Sequence, residues 1–146
     1  LIVHVSVHGS TDIAQVLGHT LLIKKVERMG DQAKNILDLA TSGVSFADAP
    51  DRDELLGDRD RISALFDDVH RLLDDPTTVD VDALRADAGA LEDHHAQRMR
   101  ALMHSDDPGR VAVPRAVLHR YLKRIVANLV GVALTVVDPL PSPDDA

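Results

Sequence analysis

The sequence predicts an all-α fold, an up-down bundle of long antiparallel helices, from three observations. Apolar residues recur at helical spacing through most of the 146-residue chain. The apolar fraction of 45% rests on Leu, Val, Ile and Ala, with only two Phe, one Tyr and no Trp, a composition that suits helix–helix packing better than a sandwich or barrel. No two segments read as a credible pair of strands. The length is that of about one domain.

Each element follows in order. Residues 1–7 read LIVHVSV, an alternation that signals a strand. Because no partner strand exists, the segment reads as the end of an element whose beginning lies upstream of Leu1. Gly9-Ser10-Thr11-Asp12 is a break followed by an N-cap. A helix is expected over residues 11–42. Ile13, Val16, Leu17 and Thr20 share one of its faces, and Val26, Met29, Ala33, Ile36, Leu37 and Ala40 share another, so the apolar stripe changes side along its length. Gly43 suits the position just past the helix end. Residues 43–57, with Pro50, Gly57 and several acids, read as a loop.

Residues 58–74 carry the clearest amphipathic helix, with Ile62, Leu65, Phe66, Val69, Leu72 and Leu73 on one stripe. Pro76-Thr77-Thr78 makes a turn. The next helix runs over residues 80–105, with Leu84, Ala88, Leu91, His95, Met99 and Leu102 inward. Asp106-Asp107-Pro108-Gly109 is a strong turn. The last helix starts near Pro114, acceptable in a first turn, and ends near Asp138. The tail PLPSPDDA, residues 139–146, is expected to be disordered. The long helices span roughly 25 residues, about 38 Å, and short loops make sequential neighbours antiparallel.

Charge and composition exclude several functions. A formal net charge of −8 disfavours sequence-independent nucleic-acid binding and anionic membrane surfaces, both of which need basic patches. The absence of cysteine removes disulfides, thiolate metal sites and thiol nucleophiles, and fits a cytoplasmic location. No apolar run reaches the ~18–20 residues that cross a bilayer. No nucleophile elbow, Walker loop, HExxH or Gly-rich dinucleotide motif is present.

One constellation carries chemistry. Glu27, Asp31 and Asn35 stand four residues apart, which makes a near-axial ladder on a helix. The ladder shares its azimuth with Ile13, Val16, Leu17 and Thr20, which seek burial. Buried carboxylates are costly unless paired or bound to a cation, and two of them one turn apart with an amide oxygen suit a divalent metal. Lys24, Lys25 and Arg28 leave a second interpretation open, a solvated face laced with ion pairs. His4 and His8 have a zinc-competent spacing but no third ligand fixed by sequence. His95, on an apolar stripe, reads as a hydrogen-bonded core histidine. Its neighbours Glu92, Asp93 and His94 read as solvated.

The segment VERMGDQAKNI (26–36) resembles the signature of the PhoU family of phosphate-signalling proteins, in which E-R-[IM]-G-D is followed by an Asn four residues past the Asp. HGSTDIAQVL before it is similar to the stretch preceding that signature. The resemblance implies two tandem three-helix repeats. Residues 1–42 would then close the first repeat, residues 58–138 would form the second, and most of the first two helices would lie outside this chain. It implies Glu27 and Asp31, with Asn35, as ligands of an iron, zinc or similar divalent or trivalent ion. Family sites recruit acids from adjacent helices, which makes Asp67 and Asp68 candidates to face them. YLKRIVANLVGV (121–132) lines up with the signature but has Lys123 for Glu, Ala127 for Asp and Gly131 for Asn. This second copy is expected to hold no metal, and the Lys123 ammonium to supply positive charge in its place.

The function this implies is a non-catalytic regulator of phosphate uptake or phosphate signalling, contacting a phosphate-transport ATPase or a sensor histidine kinase. It would be cytoplasmic or peripheral to the inner membrane face. A homodimer would cover the apolar surface left by the absent helices. Two alternatives stay open: an all-α metal-dependent nucleotide pyrophosphatase, and a metal-free helical interaction module.

Overall fold

A computed structural model describes residues 13–138, which form four long helices: α1 (Ile13–Thr41), α2 (Arg52–Asp74), α3 (Val81–Met103) and α4 (Gly109–Val137). A single 3-10 turn, Pro76–Thr78, separates α2 from α3. No strand occurs among the described residues. The all-α bundle expected from periodicity is therefore the observed architecture. The segment 1–8, the His4–His8 pair and the tail 139–146 lie outside the described residues.

Local chemistry sets the helix ends. The Gly43 and Val44 amides donate to Ala40 O and Leu39 O across a positive φ of 89° at Gly43, the Schellman pattern that only a residue without Cβ adopts at no steric cost. The Asp80 carboxylate accepts from the amides of Asp82 and Ala83 and caps α3. Asp53 and Glu54 in the first turn of α2, and Arg71 in its last, complement the helix dipole.

Two helices begin earlier than their periodicity suggests. α2 starts at Arg52, directly after Pro50-Asp51, so the acidic segment taken for loop is helical. α4 starts at Gly109 and contains Pro114 in its second turn, where the ring removes one main-chain donor but the proline's φ still matches the helix.

α4 is the central element. α1 and α3 pack along it, and α2 lies beside it. Their directions alternate. Asp51, before α2, meets Arg115 near the start of α4, while Asp58 farther along α2 meets His94 and His95 on α3. The loop after α1 (43–50) shares a hollow with residues 110–115, whereas Lys25 lies against Gly131, where a β-carbon would collide with its ammonium. The absence of a side chain at Gly131 thus leaves room for a lysine from α1.

Leu72, Ala88, Leu91, Val126 and Ala133 form the driest part of the core, joined by Met29, Leu65, Val69, Leu84 and Leu129. On α1 the inward residues are Leu22, Lys25, Met29, Gln32, Ile36 and Leu39, alternating three and four apart, a seam of coiled-coil type facing α4. Leu17, Leu21, Ile23, Val26 and Leu37 lie outside that seam and are exposed. Phe66 and Leu73 on α2 are exposed as well, so the buried stripe of that helix is narrower than its apolar pattern.

Candidate metal centre

The core stripe of three helices turns polar at one level of the bundle. On α2, the inward series Leu72, Val69, Leu65, Ile62 continues upstream into Asp58, Glu54 and Asp51. On α3, Leu84, Ala88 and Leu91 lead to His95. On α4, Val126 and Leu122 lead back to His119 and Arg115. Helical spacing alone delivers these side chains to one place. His95 and His119 have no solvent exposure, and Asp58, Asp51 and Arg115 are buried with them.

Asp58 Oδ2 lies 3.1 Å from His94 Nε2 and 3.7 Å from His95 Nδ1. His95 Nδ1 is 3.1 Å from His119 Nδ1. Glu54 Oε1 lies 3.3 Å from His94 Nε2 and 2.9 Å from Arg98 Nε, the latter close enough for an ion pair but without hydrogen-bond alignment. Below this level, Arg115 donates Nε and Nη2 to Asp51, at 2.8 Å for the shortest contact, and Nη1 to Asp107 at 3.0 Å. Arg98 Nη2 reaches Asp51 at 3.4 Å. Asp51 occupies the N-cap position of α2 yet makes no capping hydrogen bond, because Arg115 takes its carboxylate.

Burial keeps the His95 and His119 imidazoles neutral. Burial pushes His95 down to about 4, outweighing the upward pull of Asp58, and the neighbouring His119 and His94 push the same way. Burial also pushes His119 down to about 4, helped by Arg98 and opposed by Asp51. Burial alone would raise the Asp51 carboxyl; the Arg115 hydrogen bonds and charge outweigh it and hold the carboxyl below its usual range. Arg115 is correspondingly pushed up by Asp51.

The Nδ1–Nδ1 contact requires different tautomers on the two histidines: one ring donates Nδ1–H and the other accepts. The remaining nitrogens, His95 Nε2 and His119 Nε2, are buried with no partner among the described residues. Buried polar groups of this kind are rare, and an ion or ordered water is a common reason for them.

Imidazoles beside a carboxylate make a donor set for a transition-series or zinc-type divalent ion. Asp58, His94 and His95 can each present one ligand atom within 4.8 Å of the others. Among the described residues this is the one group of three or more acid or imidazole side chains so placed. Four carboxylates (Asp51, Glu54, Asp58, Asp107) outnumber two guanidinium groups (Arg98, Arg115) in the connected network.

The residues singled out from sequence lie elsewhere. Glu27 and Asp31 are exposed on α1 and Asn35 is half-buried, because the seam that faces α4 runs through Met29, Gln32 and Ile36 instead. Asp67 is exposed, and Asp68 pairs with Arg71 beside a hollow that Asp87 also lines. No three of Glu27, Asp31, Asp67 and Asp68 converge within ligand distance of one another. His94 is not solvated: it is half-buried and bonded to Asp58. His95 is buried as expected, but its hydrogen-bond partner is another histidine. The signal that could have found the site is a second E-x-x-G-D: Glu54-Leu55-Leu56-Gly57-Asp58 repeats the spacing of Glu27-Arg28-Met29-Gly30-Asp31.

No family model matches the chain, and neither a curated protein nor a solved structure matches it.

Proposed function

We propose that the chain is a non-catalytic helical regulator that holds a divalent metal ion at Asp58, His94 and His95. The convergence of these three side chains, two of them buried, is the observation that carries this reading. Metal ligands must be deprotonated, and burial keeps His95 so. A site with two of its three side chains buried favours a structural or sensing ion over an open catalytic one. The likeness of VERMGDQAKNI to the PhoU signature supplies the biological setting, control of phosphate uptake or phosphate signalling through contact with a transport ATPase or a sensor kinase. The exposed apolar residues of α1 supply a surface for such contact or for a homodimer.

Elemental analysis of the purified chain tests the metal. About one equivalent of ion is expected, lost when Asp58→Ala is combined with His94→Ala and retained when Glu27→Ala is combined with Asp31→Ala. The opposite pattern would return the metal to α1. Phosphate uptake by cells lacking the chain, in phosphate-replete medium, tests the setting: uptake should rise and be restored by the wild-type chain.

A second reading has its own observation. Glu54 and Asp58 stand one turn apart on α2 and face His94 and Arg98 on α3, an acidic pair with a nearby cation such as a metal-dependent nucleotide pyrophosphatase needs. Magnesium-dependent hydrolysis of nucleoside triphosphates that disappears with Asp58→Asn would establish it in place of the regulator.

A further inference from the structure

We propose that the open face of α4, with the last turns of α3, is a docking surface for an acidic amphipathic helix of a partner protein. It rests on the regulator reading above and deepens it, naming the surface of contact and the chemistry of the partner.

The end of α3 and the first half of α4 border a hollow of about 380 Å³, within the ~300–1,000 Å³ typical of ligand-binding clefts. Met99, Leu102 and Met103 line it from α3, and Val113, Ala116 and Val117 from α4. Both sets keep the i, i+3, i+4 spacing of one helix face, so the hollow runs between two apolar ridges. Leu102 is buried, while Met103 and Val113 stand exposed. Methionine side chains adapt to the shape of what they meet. A trough of this kind takes the apolar stripe of a helix, whose anchors recur at the same spacing.

Charge selects the partner. α4 carries Arg110, Arg115, Arg120, Lys123 and Arg124 and no acidic residue, in a chain of formal net charge −8. Asp51 and Asp107 take Arg115. Arg120, Lys123 and Arg124 form no ion pair among the described residues. Arg120 lines the hollow, and Lys123 and Arg124 continue its face of α4 one turn further. Free positive charge beside an apolar trough is complementary to carboxylates that border an apolar stripe.

Other occupants fit less well. Three cations are few for binding nucleic acid through counterion release, and the net charge of −8 opposes approach to an anionic membrane. A second copy docked through the same face would set these cations against themselves. An acidic helix needs only the local match.

The three methionines provide the readout. Met99 and Met103 line the hollow, and Met29 is buried in the core. The probe is a synthetic amphipathic peptide with a leucine stripe bordered by glutamates, titrated into chain labelled at its methionine methyls. Saturable binding is expected that shifts the Met99 and Met103 resonances and leaves Met29 in place. The same peptide with lysine for glutamate, or serine for leucine, should bind at least tenfold more weakly. Arg120→Glu combined with Arg124→Glu should weaken the acidic peptide at least tenfold and strengthen the lysine peptide. No binding of the acidic peptide, equal binding of the lysine peptide, or shifts at Met29 alone overturns the docking surface. Tighter binding to phosphatidylglycerol vesicles than to the peptide also overturns it and gives the face to a membrane. If the double variant fails to fold by circular dichroism, the contrast between the peptides on the wild-type chain decides. Failure of the peptide leaves the metal at Asp58, His94 and His95 standing, and nucleotide hydrolysis by a chain that binds the peptide removes the regulator but not the surface.

Discussion

His95 Nδ1 on α3 meets His119 Nδ1 on α4 at 3.1 Å, with both rings fully buried. The contact survives only while at least one of the two lone pairs is free of a proton. Burial pushes both groups to about 4, while the same side chains titrate near 6.5 in an unfolded chain. Between those values the unfolded state binds more protons than the folded one, so stability rises with pH across that window. The metal-free chain is therefore expected to lose stability as pH falls from about 6.5 towards 4, on the order of 2 kcal/mol for each ring by pH 5. Urea unfolding midpoints at pH 7, 6 and 5 measure it, before most carboxylates titrate. A flat profile from 7 to 5 would show that the rings are not held neutral.

The pair Asp51–Arg115 is buried on both sides, and its partners are few. Asp51→Asn keeps the volume but leaves the Arg115 guanidinium with Asp107 alone. Breaking a buried ion pair from one side costs about 3–5 kcal/mol, and this change is expected to fall at the low end because Asp107 remains at 3.0 Å. Asp107→Asn is the contrast. The Asp107 side chain is 43% exposed, and solvent-screened pairs contribute under about 1 kcal/mol. Chemical denaturation of the two variants should therefore separate them clearly, and equal losses would show that the charge of Asp51 is not what the cluster depends on.

Helix existence was legible because it needs only periodicity: Ile62, Leu65, Val69 and Leu72 mark α2, and Gly43 marks the end of α1. The buried site was not legible, for two physical reasons. Asp51 and Glu54 sit between Pro50 and Gly57, and that punctuation reads as loop although the residues prolong the core stripe of the helix that Asp58 continues. Its histidines come from separate helices, and nothing local in Ala116-Val117-Leu118-His119 announces that the ring will land against His95. The ladder at Glu27 and Asp31 was legible as a ladder, but its direction was not. That depended on which of two apolar faces of α1 meets α4, and the seam through Met29 and Gln32 turns the carboxylates outward.

That outward placement has its own consequence. Glu27 and Asp31 are exposed, so Glu27→Gln combined with Asp31→Asn is expected to change stability by no more than about 0.5 kcal/mol. Thermal unfolding of the metal-free chain measures this. A loss of several kcal/mol would mean that these carboxylates are paired in solution.

The core and the open face of α1 should respond to truncation in opposite ways. Leu72 is fully buried between α2 and its neighbours, and Leu72→Ala removes its contacts and leaves a cavity, a loss of about 2–5 kcal/mol. Ile23 and Leu37 are 63% and 61% exposed on α1, so Ile23→Ser with Leu37→Ser removes little that the isolated chain buries. Its stability should stay within about 1 kcal/mol of wild type. Association should change instead. If copies of the chain or a partner cover that face, the double variant sediments at a smaller mass than wild type at the same concentration. Sedimentation velocity over a concentration series measures this beside denaturation. A wild-type chain that is monomeric throughout, and unaffected by the two serines, would remove the homodimer from the proposed function and leave α1 to a different partner.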